Sequence, residues 1–131
     1  ALRRQGRDLT IIAYGTMAHF ALEAAERLAS EGVDAAVLDL RSIRPLDWPS
    51  IDAAVRTNGK VLIVHEDTEF AGFGAEIAAQ IGEKAFDWLD APVQRYCAPE
   101  VPAFAYSAIL EAMVMPSVDG IVARAAQLAA F

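Results

Sequence analysis

Residues 60–77, KVLIVHEDTEFAGFGAEI, carry the two signals that decide the fold. Four consecutive apolar residues at 61–64 are typical of a strand that is buried on both faces of a sheet. After a glycine-containing loop, Phe73 and Ile77 begin an apolar series at four-residue spacing that continues to Ile81, which predicts an amphipathic helix. A buried strand followed by such a helix is the repeating unit of a parallel α/β sheet.

The same alternation extends in both directions from this stretch. Runs rich in β-branched residues predict the strands, and apolar residues at three- and four-residue spacing predict the helices. Asp47 before Trp48-Pro49, and Ser117 before the last helix, are typical helix N-caps. The predicted strands are residues 9–14, 35–40, 60–65 and 92–97, and the predicted helices are residues 17–30, 48–57, 73–86 and 118–129.

Two segments remain outside this alternation. The stretch 98–116 contains three prolines and is predicted to be largely irregular, with one helical turn at 109–113. Residues 1–8, ALRRQGRD, are predicted to be a linker from an N-terminal domain outside the sequence, so the domain itself would be residues 9–131. The length of 131 residues fits one domain, with four strands in a mostly parallel sheet and helices on both faces.

Composition limits the possible partners. The net charge is −7 and there is no basic stripe, which argues against nucleic acid as a partner. An acidic surface favours a basic protein partner, although on charge alone simple solubility is the stronger explanation. No apolar run approaches the ~20 residues that cross a membrane. The single cysteine, Cys97, excludes an internal disulfide and fits a reducing compartment, the cytoplasm or, in a eukaryote, the mitochondrial matrix.

Four potential metal ligands lie together in the quoted stretch: His65, Glu66, Asp67 and Glu69. A zinc-protease helix would need a second histidine at position 69, and a strand rather than a helix leads into this segment. The other histidine, His19, lies near the start of the first predicted helix. We therefore assign no metal site.

The glycines of this stretch do not complete a phosphate-binding motif. A dinucleotide fingerprint that uses Gly72 and Gly74 would need a third glycine at position 77, which is Ile77, and no Gly-Lys-Ser/Thr follows. The glycines are better explained by a tight turn and by close packing of the helix on the sheet.

Two further positions are weak candidates. Cys97 ends a predicted strand with no histidine nearby in sequence, which indicates an inert packing residue. Thr16, after Gly15, can cap the first helix, whose free N–H groups could accept an anion or a partner's carboxylate, but an ordinary turn is the stronger explanation. From the residues alone, the chain has no complete catalytic site.

Several stretches in register resemble one known family. They are GRDLTIIAYGTM at 6–17, VLDLRSIRPLD at 37–47, VLIVHED at 61–67, GFGAEIAAQI at 72–81 and LDAPVQRYCAPEVPAF at 89–104. Together they are similar to the C-terminal domain of the β subunit of thiamine-diphosphate-dependent 2-oxo acid dehydrogenase E1 components. That group includes the pyruvate, branched-chain 2-oxo acid and acetoin enzymes, and the domain belongs to the transketolase C-terminal superfamily.

The resemblance implies a three-layer α/β/α sandwich on a five-stranded, mostly parallel mixed sheet with one antiparallel strand. The fifth strand would then lie near residues 104–106 or elsewhere in the irregular stretch. The resemblance also implies an α2β2 enzyme with an E1 α subunit and a second β subunit. Its thiamine diphosphate and Mg²⁺ would lie outside this domain, which would supply assembly contacts and a docking surface rather than catalytic residues.

Two sets of site residues follow from the resemblance. His65, Glu66, Phe73 and Gly74 would lie at the subunit interface, in a loop where Ala71 replaces the family's usual glycine. A docking surface for the basic subunit-binding domain of the E2 acyltransferase would contain Asp90, Glu100 and the C-terminal Phe131, whose carboxylates would pair with arginines.

Two alternatives remain open at this point. The chain could be the C-terminal domain of a transketolase or a deoxyxylulose-phosphate synthase, which share the fold. It could also be a stand-alone, non-catalytic assembly module.

Overall fold

The computed structural model describes residues 1–41, 45–68, 72–98 and 115–131. The strands of this part are β1 Leu2–Arg4, β2 Leu9–Ala13, β3 Ala35–Asp39, β4 Val61–Thr68 and β5 Gln94–Ala98. The α-helices are α1 Thr16–Ser30, α2 Trp48–Thr57, α3 Phe73–Lys84 and α4 Val118–Ala129, and a short 3-10 helix spans Phe86–Trp88. No helix among the described residues is long and apolar enough to cross a membrane.

The described strands form one mixed sheet in the order β1-β3-β2-β4-β5. β2 lies at the centre, where Ile11 is in register with Val37 of β3 on one side and with Leu62 of β4 on the other. β4 and β5 are also parallel, and only β1 is antiparallel to its neighbour among these strands. The predicted five-stranded mixed α/β fold is therefore confirmed.

The position of the fifth strand differs from the prediction. It is the edge strand β1, Leu2–Arg4, within the segment predicted to be a linker, and Leu2 is paired with Leu38 of β3. Three exposed or half-buried residues, two of them arginines, are too few and too polar to give a strand signal in the sequence. Residues 104–106 and the helical turn at 109–113 lie outside the described residues. The linker to a preceding domain stays a prediction.

The helix termini follow local chemistry. Asp47 caps α2, since its Oδ1 accepts a hydrogen bond from the Ser50 N–H at 3.2 Å, and Ser117 Oγ accepts from the Gly120 N–H at 3.0 Å in α4. Both predicted N-caps are thus confirmed. Thr16, considered as a possible cap of α1, is instead its first residue. The N-cap is Gly15, at a φ of 63° and without a side-chain cap, which agrees with the favoured explanation of an ordinary turn.

Residues of the central strand alternate between two apolar cores. Ile11 packs beneath α1 and α4 on one face, and Ile12 packs beneath α2 and α3 on the other. Both side chains are completely buried, as a strand in the middle layer of three requires.

The order of the strands creates a topological switch point between β2 and β4. From β2 the chain crosses to β3 on one side, whereas from β4 it crosses to β5 on the other side. The carboxyl ends of β2 and β4 therefore flank the crevice where open α/β sheets commonly bind ligands. Tyr14 directly follows β2, and His65 lies in the carboxyl-terminal half of β4.

Candidate functional site

The predicted site residues lie at the two ends of the parallel strands, called here the carboxyl edge and the opposite edge of the sheet. His65 and Glu66 are in the carboxyl-terminal half of β4, and Phe73 and Gly74 begin α3 beside them. Asp90 and Phe131 lie at the other edge, where the parallel strands begin. Glu100 lies outside the described residues.

His65 is completely buried within the chain. Its Nε2 accepts a hydrogen bond from the Gly74 N–H at 3.0 Å, and Cys97 Sγ lies 3.2 Å from the same nitrogen. The ring of Tyr14 stacks on the imidazole, with 5.9 Å between the ring centroids. His65 therefore joins β4 to β5, to α3 and to the end of β2.

Gly74 is a glycine because His65 occupies the space of a side chain. A Cβ atom built on Gly74 would overlap His65 Nε2 and would lie 3.2 Å from Cγ2 of Ile63. The φ of Gly74 is not positive, so the requirement is close approach of helix and sheet rather than an unusual backbone conformation. This agrees with the sequence-based explanation of the glycine.

A thiol beside an imidazole can act as a nucleophile with its base. The protonation states of Cys97 and His65 therefore decide whether this pair could be reactive. A nitrogen that accepts from the Gly74 N–H carries no proton, which puts the proton of the neutral imidazole on Nδ1. A thiolate–imidazolium pair would need a proton on Nε2 of His65, and that proton would face the backbone N–H of Gly74, which points at the same nitrogen. The geometry therefore favours a neutral Cys97 thiol that packs in the core, where it is 7% exposed.

The pairing of His65 with Cys97 was not recognised in the sequence, because 32 residues separate them. The two are direct neighbours in the register of β4 and β5. Aligning the predicted strands 60–65 and 92–97 at their carboxyl ends would have brought the two residues close together.

The remaining interface candidates differ in exposure. Glu66 is exposed, and Phe73 is half-buried with its ring edge-to-face against Tyr14 at 6.1 Å between centroids. Of the four residues, Glu66 and Phe73 can offer surface to another subunit, whereas His65 and Gly74 can act only by fixing the loop between β4 and α3. No group of three potential metal ligands occurs among the described residues.

At the opposite edge, Asp90 and the end of α4 are each attached by a hydrogen bond to the segment that leads into β4. The Asp90 N–H donates to the Gly59 carbonyl at 2.8 Å, and the exposed Asp90 carboxylate lies against Gly59. The next residue, Lys60, donates through Nζ to the Ala129 carbonyl at 2.9 Å, near the end of α4. Phe131 follows two residues later with 71% of its surface exposed.

Two exposed aromatic residues beside Asp90 were not recognised in the sequence. Helix α3 ends at Lys84 instead of Phe86, and the separate 3-10 helix leaves Phe86 69% and Trp88 48% exposed. For Phe86 the sequence contains an indication of this exposure, because position 86 does not continue the apolar stripe 73, 77, 81 of the helix.

A groove of about 590 Å³ lies between α2 and the β1–β3 edge of the sheet. Its walls are mainly apolar, and the amide of Asn58 lies at one end. The amide nitrogen is used within the fold, since Nδ2 donates to Thr10 Oγ1 at 2.9 Å and to the Gly6 carbonyl at 3.1 Å, whereas the buried Oδ1 forms no hydrogen bond with a described residue. The lining also includes charged side chains, of which Arg7 and Asp34 pair with each other at 3.5 Å.

Comparison with known proteins gives a consistent result. The family model described as "Transketolase, C-terminal domain" matches residues 1–121. The chain is 45% identical over 130 residues to the mitochondrial pyruvate dehydrogenase E1 component subunit beta-2 of Oryza sativa, covering 99% of this chain and 34% of the relative. It is 43% identical to the 2-oxoisovalerate dehydrogenase subunit beta of Bacillus subtilis, covering 99% of this chain and 40% of the relative. The chain thus spans about a third to two-fifths of these relatives.

Solved structures show the same fold. A split-gene transketolase described as an inactive beta4 tetramer superposes with a TM-score of 0.84 at 27% identity, covering 99% of this chain and 41% of the other. A transketolase from Pichia stipitis superposes with a TM-score of 0.66 at 17% identity, covering 99% of this chain and 18% of the other. The second likeness concerns the fold alone.

Proposed function

Because the chain belongs to the transketolase C-terminal domain family, we propose that it forms the C-terminal domain of the β subunit of a 2-oxo acid dehydrogenase E1 component. The observation that carries this proposal is the 43–45% identity to β subunits of such enzymes over 99% of the chain. The transketolases among the solved structures are only 17–27% identical over the same residues.

The parent enzyme would catalyse the oxidative decarboxylation of a 2-oxo acid and transfer the acyl group to the lipoyl group of an acyltransferase. Thiamine diphosphate and Mg²⁺ would supply the chemistry of decarboxylation from parts of the α2β2 enzyme outside this chain. The glycine turn before α3 does not fit a diphosphate, because its Gly74 N–H already donates to His65 and the imidazole fills the space in front of it. We derive no catalytic step from these residues.

The carboxyl edge of the sheet would contact another subunit of the α2β2 enzyme. Glu66 and Phe73 would supply the contact surface, and the buried pair of His65 and Gly74 would hold the loop that carries them. The exposure of Glu66 and the half-burial of Phe73 support this assignment. The enzyme would operate in the bacterial cytoplasm or in the mitochondrial matrix, since the similar β subunits include bacterial proteins and proteins named as mitochondrial.

The opposite edge would bind the basic subunit-binding domain of the acyltransferase through Asp90, Glu100 and Phe131. Three observations support this proposal: Asp90 is exposed, Phe131 is exposed at the same edge, and the net charge is −7. Carboxylates at such a surface form charge-assisted hydrogen bonds with arginine. Affinity should therefore fall as salt rises.

An activity assay of the complete enzyme tests the proposed function. The full β subunit is assembled with its α subunit, and decarboxylation is measured with pyruvate and with branched-chain 2-oxo acids in the presence of thiamine diphosphate and Mg²⁺. We expect turnover of at least one 2-oxo acid. Turnover of ketose phosphates instead would refute the proposal.

Ketose-phosphate turnover would support the second candidate, a transketolase-type enzyme. The observation that favours this candidate is the TM-score of 0.84 to a split-gene transketolase. A deoxyxylulose-phosphate synthase would share the fold, and condensation of pyruvate with glyceraldehyde 3-phosphate would identify it. A stand-alone assembly module would show none of these activities in any subunit combination.

A further inference from the structure

We infer that Phe86 and Trp88 form an apolar anchor for a basic partner surface at the edge of the sheet that carries Asp90. This inference rests on the proposed docking role and adds residues that the sequence analysis did not assign. The partner would place aliphatic side chains on the two rings and cationic groups on the neighbouring carboxylates.

The 3-10 helix presents both aromatic rings to solvent. Ala85 before it is 1% exposed and Leu89 after it packs against the core beneath α2 and α3, so both ends of the segment are fixed. Between them, Phe86 is 69% and Trp88 is 48% exposed. Two large aromatic side chains left exposed within three residues of a fixed segment are typical of an interaction site.

The indole of Trp88 is already held in place on one side. The guanidinium carbon of Arg56 lies 4.8 Å from the ring centroid, and Arg56 Nε is paired with Asp52 at 2.9 Å. The carboxylate of Asp52 offsets the charge of Arg56, so the cation beside the ring does not repel a basic partner strongly. A ring that is oriented before binding loses little conformational entropy when a partner covers it.

The carboxylates beside the two rings favour a basic partner. Asp87 lies between the two aromatic residues and Asp90 lies two residues beyond Trp88. Both carboxylates are exposed, and neither forms an ion pair with another described residue. A second copy of the chain is disfavoured as the occupant, because a two-fold interface would place the same acidic patch against itself. The basic subunit-binding domain of the acyltransferase supplies the opposite charge.

Calorimetry with the assembled α2β2 enzyme tests the inference. The probe is the isolated subunit-binding domain of the acyltransferase, titrated into enzyme with wild-type β subunit and into the Trp88→Ala, Phe86→Ala and Trp88→Phe variants. We expect Trp88→Ala to weaken binding about tenfold, since buried aromatic anchors dominate interfaces. Trp88→Phe should recover part of the affinity, because it keeps an aromatic ring.

The matched control is Leu2→Ala, which removes a similarly exposed apolar side chain from the β1 edge of the sheet and should leave the affinity unchanged. Asp90→Lys tests the docking role itself and should weaken binding more at about 0.05 M salt than at about 0.5 M. Unchanged affinity in Trp88→Ala, with Asp90→Lys weakened, would overturn the inference and leave the docking role in place.

Absence of binding by the wild-type enzyme would refute the docking role and the inference together. Sedimentation velocity tests the competing occupant. If Trp88→Ala dissociated the enzyme into smaller species, the aromatic pair would be an assembly contact, and the inference would be overturned in that case as well.

Discussion

Gly74→Ala should destabilise the chain by an amount that the buried site allows us to estimate. The added Cβ would overlap His65 Nε2, and a displaced His65 would also lose its hydrogen bond to the Gly74 N–H. Overpacking of a core costs about 1–3 kcal/mol, and a buried donor without its partner costs about 1–3 kcal/mol more. The better helix propensity of alanine returns at most about 1 kcal/mol. We therefore expect a net loss of about 1–6 kcal/mol in the free energy of unfolding.

Urea denaturation of the chain and of its variants checks this magnitude, and α3 provides the matched control. Gly82 lies in the same helix and is exposed, and a Cβ atom added to it would meet no neighbouring atom within 4 Å. Gly82→Ala should therefore raise the free energy of unfolding by about 0.5–1 kcal/mol. The two substitutions are chemically identical, so their difference isolates the contact with His65.

A double-mutant cycle separates overlap from general damage to the helix. His65→Ala alone removes a buried ring and leaves the Gly74 N–H without its acceptor. When His65→Ala is combined with Gly74→Ala, the added methyl group enters the vacated space. The loss of stability in the double variant should therefore be smaller than the sum of the two single losses by about 1–2 kcal/mol. If Gly74→Ala were as harmless as Gly82→Ala, the close packing of helix and imidazole would be refuted.

Two further predictions concern the turns at the ends of helices. Gly15→Ala should lower the free energy of unfolding by about 1–3 kcal/mol, because alanine is strained at a φ of 63°, and an unchanged urea midpoint would contradict this. Hydrogen bonds from the Ser50 hydroxyl and N–H hold the pKa of Asp47 below its ordinary value, so its stabilising effect is complete above about pH 4 and is lost as pH falls through the lower folded-state pKa. Asp47→Ala should therefore be less stable than wild type at pH 7, the difference should shrink as the pH falls below about 4, and a difference that did not shrink in acid would refute the cap as the cause.

β2, β3 and β4 could be predicted from the sequence because each contains a buried apolar run, such as VLIV at 61–64. β1 could not, because Leu2–Arg4 is held by its pairing with β3 and by contacts of Arg4 with Asp34 and the Ala35 carbonyl. These contacts join residues about 30 positions apart, and no local pattern in the sequence reports them.

The same distinction applies to the candidate sites. The glycine turn before α3 and the exposure of Asp90 follow from residue types close together in sequence. The contact of His65 with Cys97 depends on the register of two strands, and the placement of Asp90 and Phe131 at the same edge depends on how α4 returns to the start of β4. Those arrangements are products of tertiary packing.

The separation of the two edges determines how the experiments can be interpreted. Gly59, which contacts Asp90, and His65 are six positions apart along extended chain, so the two sites are roughly 20 Å apart at about 3.3 Å per residue. That distance exceeds both the screening length of about 8 Å in physiological salt and the range of about 7–10 Å within which substitutions usually couple. Gly74→Ala should therefore change stability without changing affinity for the basic partner, and Trp88→Ala should do the reverse. A variant that changed both would show that the sheet transmits strain between its edges, and the assignment of separate roles to them would fail.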